Sequence, residues 1–237
     1  MFSRAISDDA QSALALLGKS RISVDAYLAG GSACALYFGH RFSFDLDFFT
    51  EKEFQTEFIL EQLKSLEGFV LSRTAEWTIL GGFPGVKFSY FYLPHPLIGQ
   101  NNKFNNINVA SIEDIAAMKI AAIADRGTKR DFVDLYFIAK NKFSLDEAFG
   151  FYDKKYQRLA NNIYHILRSL QYFSDAENQE IQMIEKASWE EIKNFFTDEV
   201  KRLSNKFLGL EYDLYLKEQE DIKILPRVSK ALRKSRK

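Results

Sequence analysis

Apolar residues in the first 110 positions follow two periods. Runs typical of strands, either alternating or continuous, occupy residues 24–29, 44–49, 69–80, 86–93 and 107–110. Apolar residues at the three- and four-residue spacing of helices occupy residues 7–18, 32–38 and 51–66. Glycine-rich turns are predicted at 30–31 and 81–85, and an Asn-rich loop at 101–108. This part of the chain is therefore predicted to form a sheet with flanking helices.

The period changes to a helical one from Ser111 onward. Helices are predicted over residues 112–125, 129–140, 145–152, 155–172, 176–186 and 189–207. Three of them begin with the spacing of a capping box, at Ser111-x-x-Asp114, Ser144-x-x-Glu147 and Ser188-x-x-Glu191. Strands and helices are segregated, which argues against a long βαβ series and predicts an α+β fold with a boundary near residue 110.

Composition indicates a folded chain with no strong overall charge. The 237 residues are 46% hydrophobic and 15% aromatic, and the formal net charge is zero. A zero net charge argues against a field that attracts nucleic acid over the whole molecule. The C-terminal residues 222–237 are basic and contain no acid, a pattern more typical of a solvated tail than of a contact to phosphates.

Cysteine and histidine usage excludes several kinds of site. The single cysteine, Cys34, has no partner for an internal disulfide and suits a reducing compartment. The histidines His40, His95 and His165 are too scattered for a zinc site. Because no secretory h-region and no apolar run of about eighteen residues occurs, we expect a cytoplasmic protein without a membrane span.

The candidate chemistry lies between residues 30 and 47. Asp45 and Asp47 are one residue apart, so on a strand both carboxylates point to the same side, where a bound cation would relieve their repulsion. A lone Asp-x-Asp is common on solvent-facing strands, but here apolar neighbours alternate with the acids. Gly30-Gly31-Ser32 places backbone N–H groups at a helix N-terminus, which favours phosphate. Since no G-x-G-x-x-G fingerprint occurs, the pattern favours a nucleotide with magnesium over a dinucleotide.

Two blocks of sequence resemble the AbiEii/AbiGii nucleotidyltransferase toxins, members of the DNA-polymerase-β-like nucleotidyltransferase superfamily. The first block comprises 28–36 (LAGGSACAL), 39–41 (GHR), Ser43 and 45–48 (DLDF). The second comprises 111–119 (SIEDIAAMK), 126–127 (RG) and 130–136 (RDFVDLY). Together they span roughly residues 20–140 with matching order and spacing. The resemblance implies a nucleotidyltransferase core over 1–110 with a mixed sheet, and a helical C-terminal domain over 111–237 whose residues 111–140 complete the active site.

The resemblance also implies roles for individual residues. The triphosphate would lie on Gly30, Gly31 and Ser32, and Asp45 and Asp47 would hold Mg²⁺. Arg41 and Ser43 flank the acids and would contact phosphate, although a structural ion pair is an equal alternative for Arg41. Lys119 would bind phosphate, with a solvated or snorkelling lysine as the alternative. Asp131 would orient Lys119 or a metal-bound water, and Asp134 would be structural.

One departure from the superfamily concerns a third acid, which usually comes from a neighbouring strand. The best-placed segment, residues 86–92 (VKFSYFY), contains no acid, and alternation makes Ser89 the expected occupant. A hydroxyl is a weaker ligand and a poor base, so metal affinity or turnover would suffer. Glu76 on another strand is the alternative source.

The sequence is compatible with three functions. The resemblance implies Mg²⁺-dependent transfer of a nucleotide from an NTP to RNA, with tRNA as a candidate acceptor, by a toxin with a separately encoded antitoxin. The missing third acid instead favours a protein that binds nucleotide or RNA without turnover. A small-molecule nucleotidyltransferase of the antibiotic-modifying kind would share the same core.

Overall fold

The computed structural model describes residues 1–209, so the basic C-terminal segment lies outside the described residues. In the first half, the elements are α1 (Asp8–Leu17), β1 (Tyr27–Ala29), α2 (Gly30–Phe38), β2 (Leu46–Thr50), α3 (Thr56–Lys64), β3 (Val70–Ala75), β4 (Thr78–Phe83), β5 (Val86–Tyr92), β6 (Asn102–Phe104) and β7 (Ile107–Val109). Then follow α4 (Ile112–Asp125), α5 (Lys129–Asn141), α6 (Leu145–Tyr156), α7 (Leu159–Ser169) and α8 (Trp189–Leu208).

The seven strands form one mixed sheet in the order β3-β4-β5-β2-β1-β7-β6. Strand β2 pairs antiparallel with β1 and parallel with β5, while β1 pairs parallel with β7. The helices after residue 111 follow the strands instead of alternating with them. The predicted α+β class is therefore confirmed.

The predicted strand over 69–80 is wrong in its extent, because a hairpin divides it. Strands β3 and β4 pair antiparallel, and Trp77 turns the chain at φ +51°. Of the glycines in the turn predicted over 81–85, Gly81 and Gly82 lie within β4, where a Cβ on Gly81 would come 2.7 Å from the Val70 carbonyl oxygen. Gly81 thus permits close strand approach, and the turn itself falls at Pro84-Gly85.

The Asn-rich segment is a hairpin instead of a loop. Asn105 and Asn106 have φ values of +47° and +64°, and β6 and β7 pair on either side of them. Asparagine tolerates this left-handed conformation, which two-residue hairpins require. Residue types typical of loops therefore make a tight turn here.

Two helix predictions after residue 150 also need correction. The segment predicted as one helix over 155–172 contains the end of α6 and all of α7, separated at Gln157, whose φ is +53°. The helix predicted over 176–186 is absent. The backbone N–H groups of Ile184 and Glu185 donate instead to the His40 carbonyl, at 2.9 and 3.0 Å. Backbone N–H groups that would donate within a helix are therefore bonded to a carbonyl far along the chain.

Only one of the three predicted capping boxes is complete. Ser144 and Glu147 exchange both bonds at the start of α6. The Asp114 carboxylate instead accepts from Lys155 Nζ at 2.8 Å and from the Gly99 backbone N–H at 3.1 Å. At the start of α8, Ser188 caps the helix while the Glu191 carboxylate accepts from the Tyr136 hydroxyl. Tertiary partners therefore outcompete the local bond in two of the three cases.

The hydrophobic core contains buried residues from both halves of the chain, including Leu28 and Phe48 of the sheet and Ile120 and Phe132 of the helices. The division into two units at residue 110 stays a prediction. Among the helices formed by residues 1–209, none combines the length and apolar character needed to cross a membrane.

Candidate active site

The Gly-Gly turn brings the start of α2 against the acidic strand. Ala29 of β1 lies opposite Asp47 of β2, so the turn that follows β1 lies beside the Asp47 carboxylate. Gly30 has a φ of +66°, and a Cβ there would come 2.9 Å from Asp47 Oδ2. The approach of backbone to carboxylate therefore requires glycine. The next hydroxyl, that of Ser32, is buried and contacts the Asp45 carbonyl oxygen, which positions the acidic strand.

Asp45 and Asp47 each have one polar side-chain contact among residues 1–209. Asp45 Oδ2 lies 3.4 Å from Nη1 of the half-exposed Arg130. Asp47 Oδ1 accepts a hydrogen bond from the hydroxyl of Ser89, which pairs with Asp47 across β2 and β5. The structure thus places Ser89 beside Asp47, where alternation predicted the occupant of the third-acid position.

Glu76 lies too far along the sheet to take the same position. It sits in the turn between β3 and β4, whereas Ser89 and Asp47 are on β5 and β2. Leu80 is the β4 residue opposite Ser89, and Glu76 is four residues from it, roughly 13 Å along a strand.

Asp134 is a fully buried carboxylate surrounded by cations and a histidine. Arg41 donates to both of its oxygens, with Nε at 2.7 Å and Nη2 at 2.9 Å. Lys119 Nζ lies 2.6 Å from Oδ2, and His40 Nε2 lies 2.8 Å from Oδ1. Burial would raise the pKa of Asp134, but Arg41 and Lys119 hold it well below its usual range. Arg41 is thus engaged in an ion pair beneath the site, with a further bond from Nη1 to the Phe42 carbonyl at 3.0 Å.

Asp131 connects this buried cluster to the surface. Its carboxylate accepts from Lys119 Nζ at 3.0 Å, from Arg126 at 3.0 and 3.1 Å, and from the Thr128 hydroxyl at 2.6 Å. Burial opposes ionisation, yet the Lys119 and Arg126 cations lower the pKa of Asp131. For Lys119, burial lowers the pKa, but Asp134 and Asp131 outweigh this and raise it above its ordinary value. Lys119 is therefore a fixed, charged ammonium group.

These pKa shifts predict that acid destabilises the protein. Asp131 and Asp134 have lowered pKa values in the folded state. Below about pH 4, these carboxyl groups bind protons in the unfolded state but stay ionised in the folded state. The stability that they contribute above that pH is therefore lost as the pH falls toward their folded-state pKa values. Urea unfolding from pH 7 to pH 3 should show this loss. Asp131→Asn should reduce the slope below pH 4, and an unchanged slope would contradict the assignment.

Two adjoining pockets share Asp47, Lys119 and Arg126. The first, about 160 Å³, is called the polar cleft here and is lined by Gly31, Arg41, Ser43, Asp45, Asp47, Lys119, Arg126, Arg130 and Asp131. The second, about 330 Å³, is called the apolar pocket, and its walls include Phe49, Phe91, Leu93, Ile115, Met118, Ala122 and Tyr156. A charged cleft joined to an apolar pocket matches the two chemical halves of a nucleotide.

Comparison with known proteins assigns the family. Residues 91–222, more than half of the chain, match the family described as nucleotidyl transferase AbiEii toxin of type IV toxin–antitoxin systems. The chain belongs to the AbiEii nucleotidyltransferase toxin family. An uncharacterized protein of Aquifex aeolicus is 40% identical over 182 residues, which cover 75% of this chain and 87% of the relative.

Solved structures share the fold of this AbiEii-family protein. MenT4, a nucleotidyltransferase toxin of Mycobacterium tuberculosis, superimposes with a TM-score of 0.55 at 17% identity, over 80% of this chain and 82% of that one. JHP933 of Helicobacter pylori gives a TM-score of 0.51 at 19% identity, over 90% and 99%. The predicted family and nucleotidyltransferase fold are confirmed, and the protein is a nucleotidyltransferase toxin by family.

The structure brings together most of the residues that the AbiEii resemblance suggested. Gly31, Arg41, Ser43, Asp45, Asp47, Lys119 and Asp131 all line the polar cleft. Ser32 is buried beneath it. Sequence reasoning did not select Arg130 or Thr128, which contact Asp45 and Asp131. Arg130 begins the block 130–136 and Thr128 lies three residues before Asp131, but neither fact shows where their side chains reach.

Proposed function

We propose that this protein transfers a nucleoside monophosphate from an NTP to an RNA hydroxyl in a Mg²⁺-dependent reaction, with tRNA as the first acceptor to test. The observation that carries the proposal is the polar cleft, where Asp45 and Asp47 face the Gly30-Gly31 turn and four cationic side chains. Membership of a type IV toxin–antitoxin family supports an NTP substrate and a separately encoded antitoxin. A cytoplasmic location stays a prediction.

The donor set of the cleft suits magnesium. Asp45, Asp47 and the Ser89 hydroxyl supply only oxygen ligands, which hard cations prefer. Asp47 Oδ2 faces Gly30, whose missing Cβ leaves the space beside that oxygen open. Asp45 and Asp47 would hold the ion, with Ser89 orienting Asp47. A bound Mg²⁺ would neutralise charge on the triphosphate and on the attacking hydroxyl.

The reaction requires positioning more than covalent work by the protein. The acceptor oxygen forms a bond to the α-phosphorus, the bond from that phosphorus to the bridging oxygen breaks, and pyrophosphate leaves with the electron pair while the hydroxyl proton is released. Backbone N–H groups at the start of α2 would hold phosphate oxygens. Lys119, fixed by Asp131 and Asp134, and the exposed guanidiniums of Arg126 and Arg130 would neutralise the charge that develops.

The apolar pocket would hold the base of the NTP. Phe49 and Phe91 line this pocket with their ring centroids 5.6 Å apart, and Met118 and Ala122 of α4 line it as well. All four side chains are partly exposed, so an aromatic base can reach them. A base placed there would put its triphosphate beside Asp47 and Lys119, which line both pockets.

The deciding experiment is a transfer assay with each α-³²P-labelled NTP, Mg²⁺ and total tRNA. Label on tRNA, dependent on Mg²⁺ and accompanied by pyrophosphate release, is the expected result. Absence of label with all four NTPs, while MenT4 is active on the same RNA, would contradict catalysis. Label on an aminoglycoside but not on RNA would support the small-molecule alternative.

The second candidate, binding without turnover, is supported by Ser89 occupying the third-acid position. Ser89→Asp would add a carboxylate opposite Asp47 and should tighten Mg²⁺ binding in the presence of NTP, measured by calorimetry, by about tenfold or more. Ser89→Asn, which adds an amide of similar size without charge, is the matched control. If wild type binds Mg²⁺-NTP without releasing pyrophosphate and Ser89→Asp starts release, the second candidate is favoured.

A further inference from the structure

A third pocket, called the α4–α7 pocket here, lies beside the candidate active site. It encloses about 570 Å³ between the end of α4, the last turn of α7 and the segment that follows α7. Its polar lining includes Asp125, Arg126, His165, Arg168, Tyr172 and Asp175. Neither the NTP nor the metal of the proposed function uses this volume.

Arg126 joins the α4–α7 pocket to the candidate active site, because it also lines the polar cleft and the apolar pocket. Asp131 holds its Nε and Nη2 atoms at 3.0 and 3.1 Å, so the guanidinium has a fixed position at the junction. A molecule in the α4–α7 pocket could therefore extend past Arg126 to the place where the α-phosphate of a bound NTP would lie.

The walls of the α4–α7 pocket are tied to each other. Gly127, with a φ of +54°, follows the end of α4, and its N–H donates to the Ala122 carbonyl at 3.2 Å. His165 Nε2 on α7 lies 2.8 Å from the Ala124 carbonyl oxygen, which fastens α7 against α4. Two walls of the pocket are thus packed helices, and the segment that follows α7 completes the lining with Tyr172 and Asp175.

The chemistry of the lining suits the end of a single-stranded nucleic acid. Arg168 is exposed, and no carboxylate of residues 1–209 lies within 4.0 Å of it, so its guanidinium is available for phosphate. Tyr172 is 45% exposed and offers a ring face on which a base can stack. Asp125 and Asp175 offset the charges of Arg126 and Arg168, so net charge alone does not make the pocket attract anions.

We propose that the α4–α7 pocket receives the single-stranded 3′ end of the RNA acceptor, with a base on Tyr172 and a phosphate on Arg168. This inference rests on the RNA acceptor of the proposed function. At most two guanidiniums contact phosphates in this pocket. The logarithm of the affinity contributed by the overhang should therefore fall with the logarithm of the salt concentration at a slope no steeper than about −1.4. Stacking on the tyrosine supplies the remainder of the affinity and is insensitive to salt.

The test uses a fluorescein-labelled RNA hairpin with a four-nucleotide 3′ overhang and the same hairpin with a blunt end. Wild type should bind the overhang hairpin more tightly. Tyr172→Ala and Arg168→Ala should each weaken that binding about tenfold or more, to near the level of the blunt hairpin. The matched control is Arg158→Ala, an exposed arginine at the other end of α7 that lines none of the three pockets.

Activity and nucleotide measurements separate this inference from the proposed function. Tyr172→Ala and Arg168→Ala should raise KM for tRNA while melting temperature and NTP affinity stay as in wild type. If tRNA is labelled and both variants match wild type in hairpin affinity and KM, the acceptor enters elsewhere and this inference is wrong. If NTP binds but no RNA is bound or labelled by wild type, the RNA acceptor of the proposed function fails, and the pocket assignment with it.

Discussion

Asp45→Asn and Asp47→Asn should each reduce nucleotidyl transfer by several orders of magnitude while leaving the metal-free protein at least as stable as wild type. Asparagine keeps the shape of the side chain but withdraws a charged oxygen ligand from the metal. Neutralising one of two neighbouring carboxylates relieves their repulsion, worth a few tenths to about 1 kcal/mol. Asp47 has no ion-pair partner within 4.0 Å among residues 1–209, and the Arg130 contact of Asp45 is exposed, so little is lost in exchange.

Thermal melts with and without Mg²⁺-NTP, together with the transfer assay, check this result. Wild type should gain melting temperature from Mg²⁺-NTP, and both variants should gain much less. Asp25→Asn is the control, because its carboxylate pairs with Lys52 at 2.6 Å at an exposed site away from the cleft. A fall of several degrees in the metal-free melting temperature with intact specific activity would show that the two acids are structural.

Asp134→Ala should lower the free energy of unfolding by about 3–5 kcal/mol. The variant would leave the buried side chains of Arg41 and Lys119 without the carboxylate that each contacts at 2.7 Å or less. A charge left unpaired in the interior is far more costly than a charge at the surface.

The matched control is Asp146→Ala. Asp146 also accepts from two cations, Arg202 at 2.6 Å and Lys206 at 2.8 Å, but these pairs lie at the surface. Their removal should cost no more than about 1 kcal/mol, because water screens the remaining charges. Urea unfolding at pH 7 compares the two variants. An Asp134→Ala protein that unfolds like Asp146→Ala but has lost transfer would mean that Asp134 acts in the chemistry and not in the fold.

The strand–turn–helix unit at residues 27–38 and the acidic strand after it were predictable because their determinants are local. Alternation places Asp45 and Asp47 on one side of the chain, and a glycine pair before apolar helical residues marks the turn. The predicted bounds of α4, α5 and α8 also agree with the structure to within a residue or two, because their residues have one strong local preference. The family resemblance added which of these residues belong to one site.

Elements whose backbone groups find partners far along the chain were mispredicted. Residues 176–186 have helical spacing, yet the N–H groups of Ile184 and Glu185 bind the His40 carbonyl, which no local pattern records. The Asp114 carboxylate does not bond back to the Ser111 backbone N–H as a capping box requires, and it binds Lys155, forty-one residues away. These distant partners replace the local ones because a buried polar group must form a hydrogen bond with whichever group the fold brings near it.

By itself, the sequence determined the α+β class, the acidic strand, the glycine turn and the helix carrying Lys119, since each depends on residue types within one or two turns of chain. Only the tertiary structure decided that Arg41 pairs with Asp134, that Ser89 contacts Asp47, and that Arg126 lies where three pockets meet. These relations join residues that are about forty to ninety positions apart, or set the direction of a long flexible side chain. The periodic spacing of residues in a helix or strand determines which side chains share a face. Packing between elements determines which residues that face contacts.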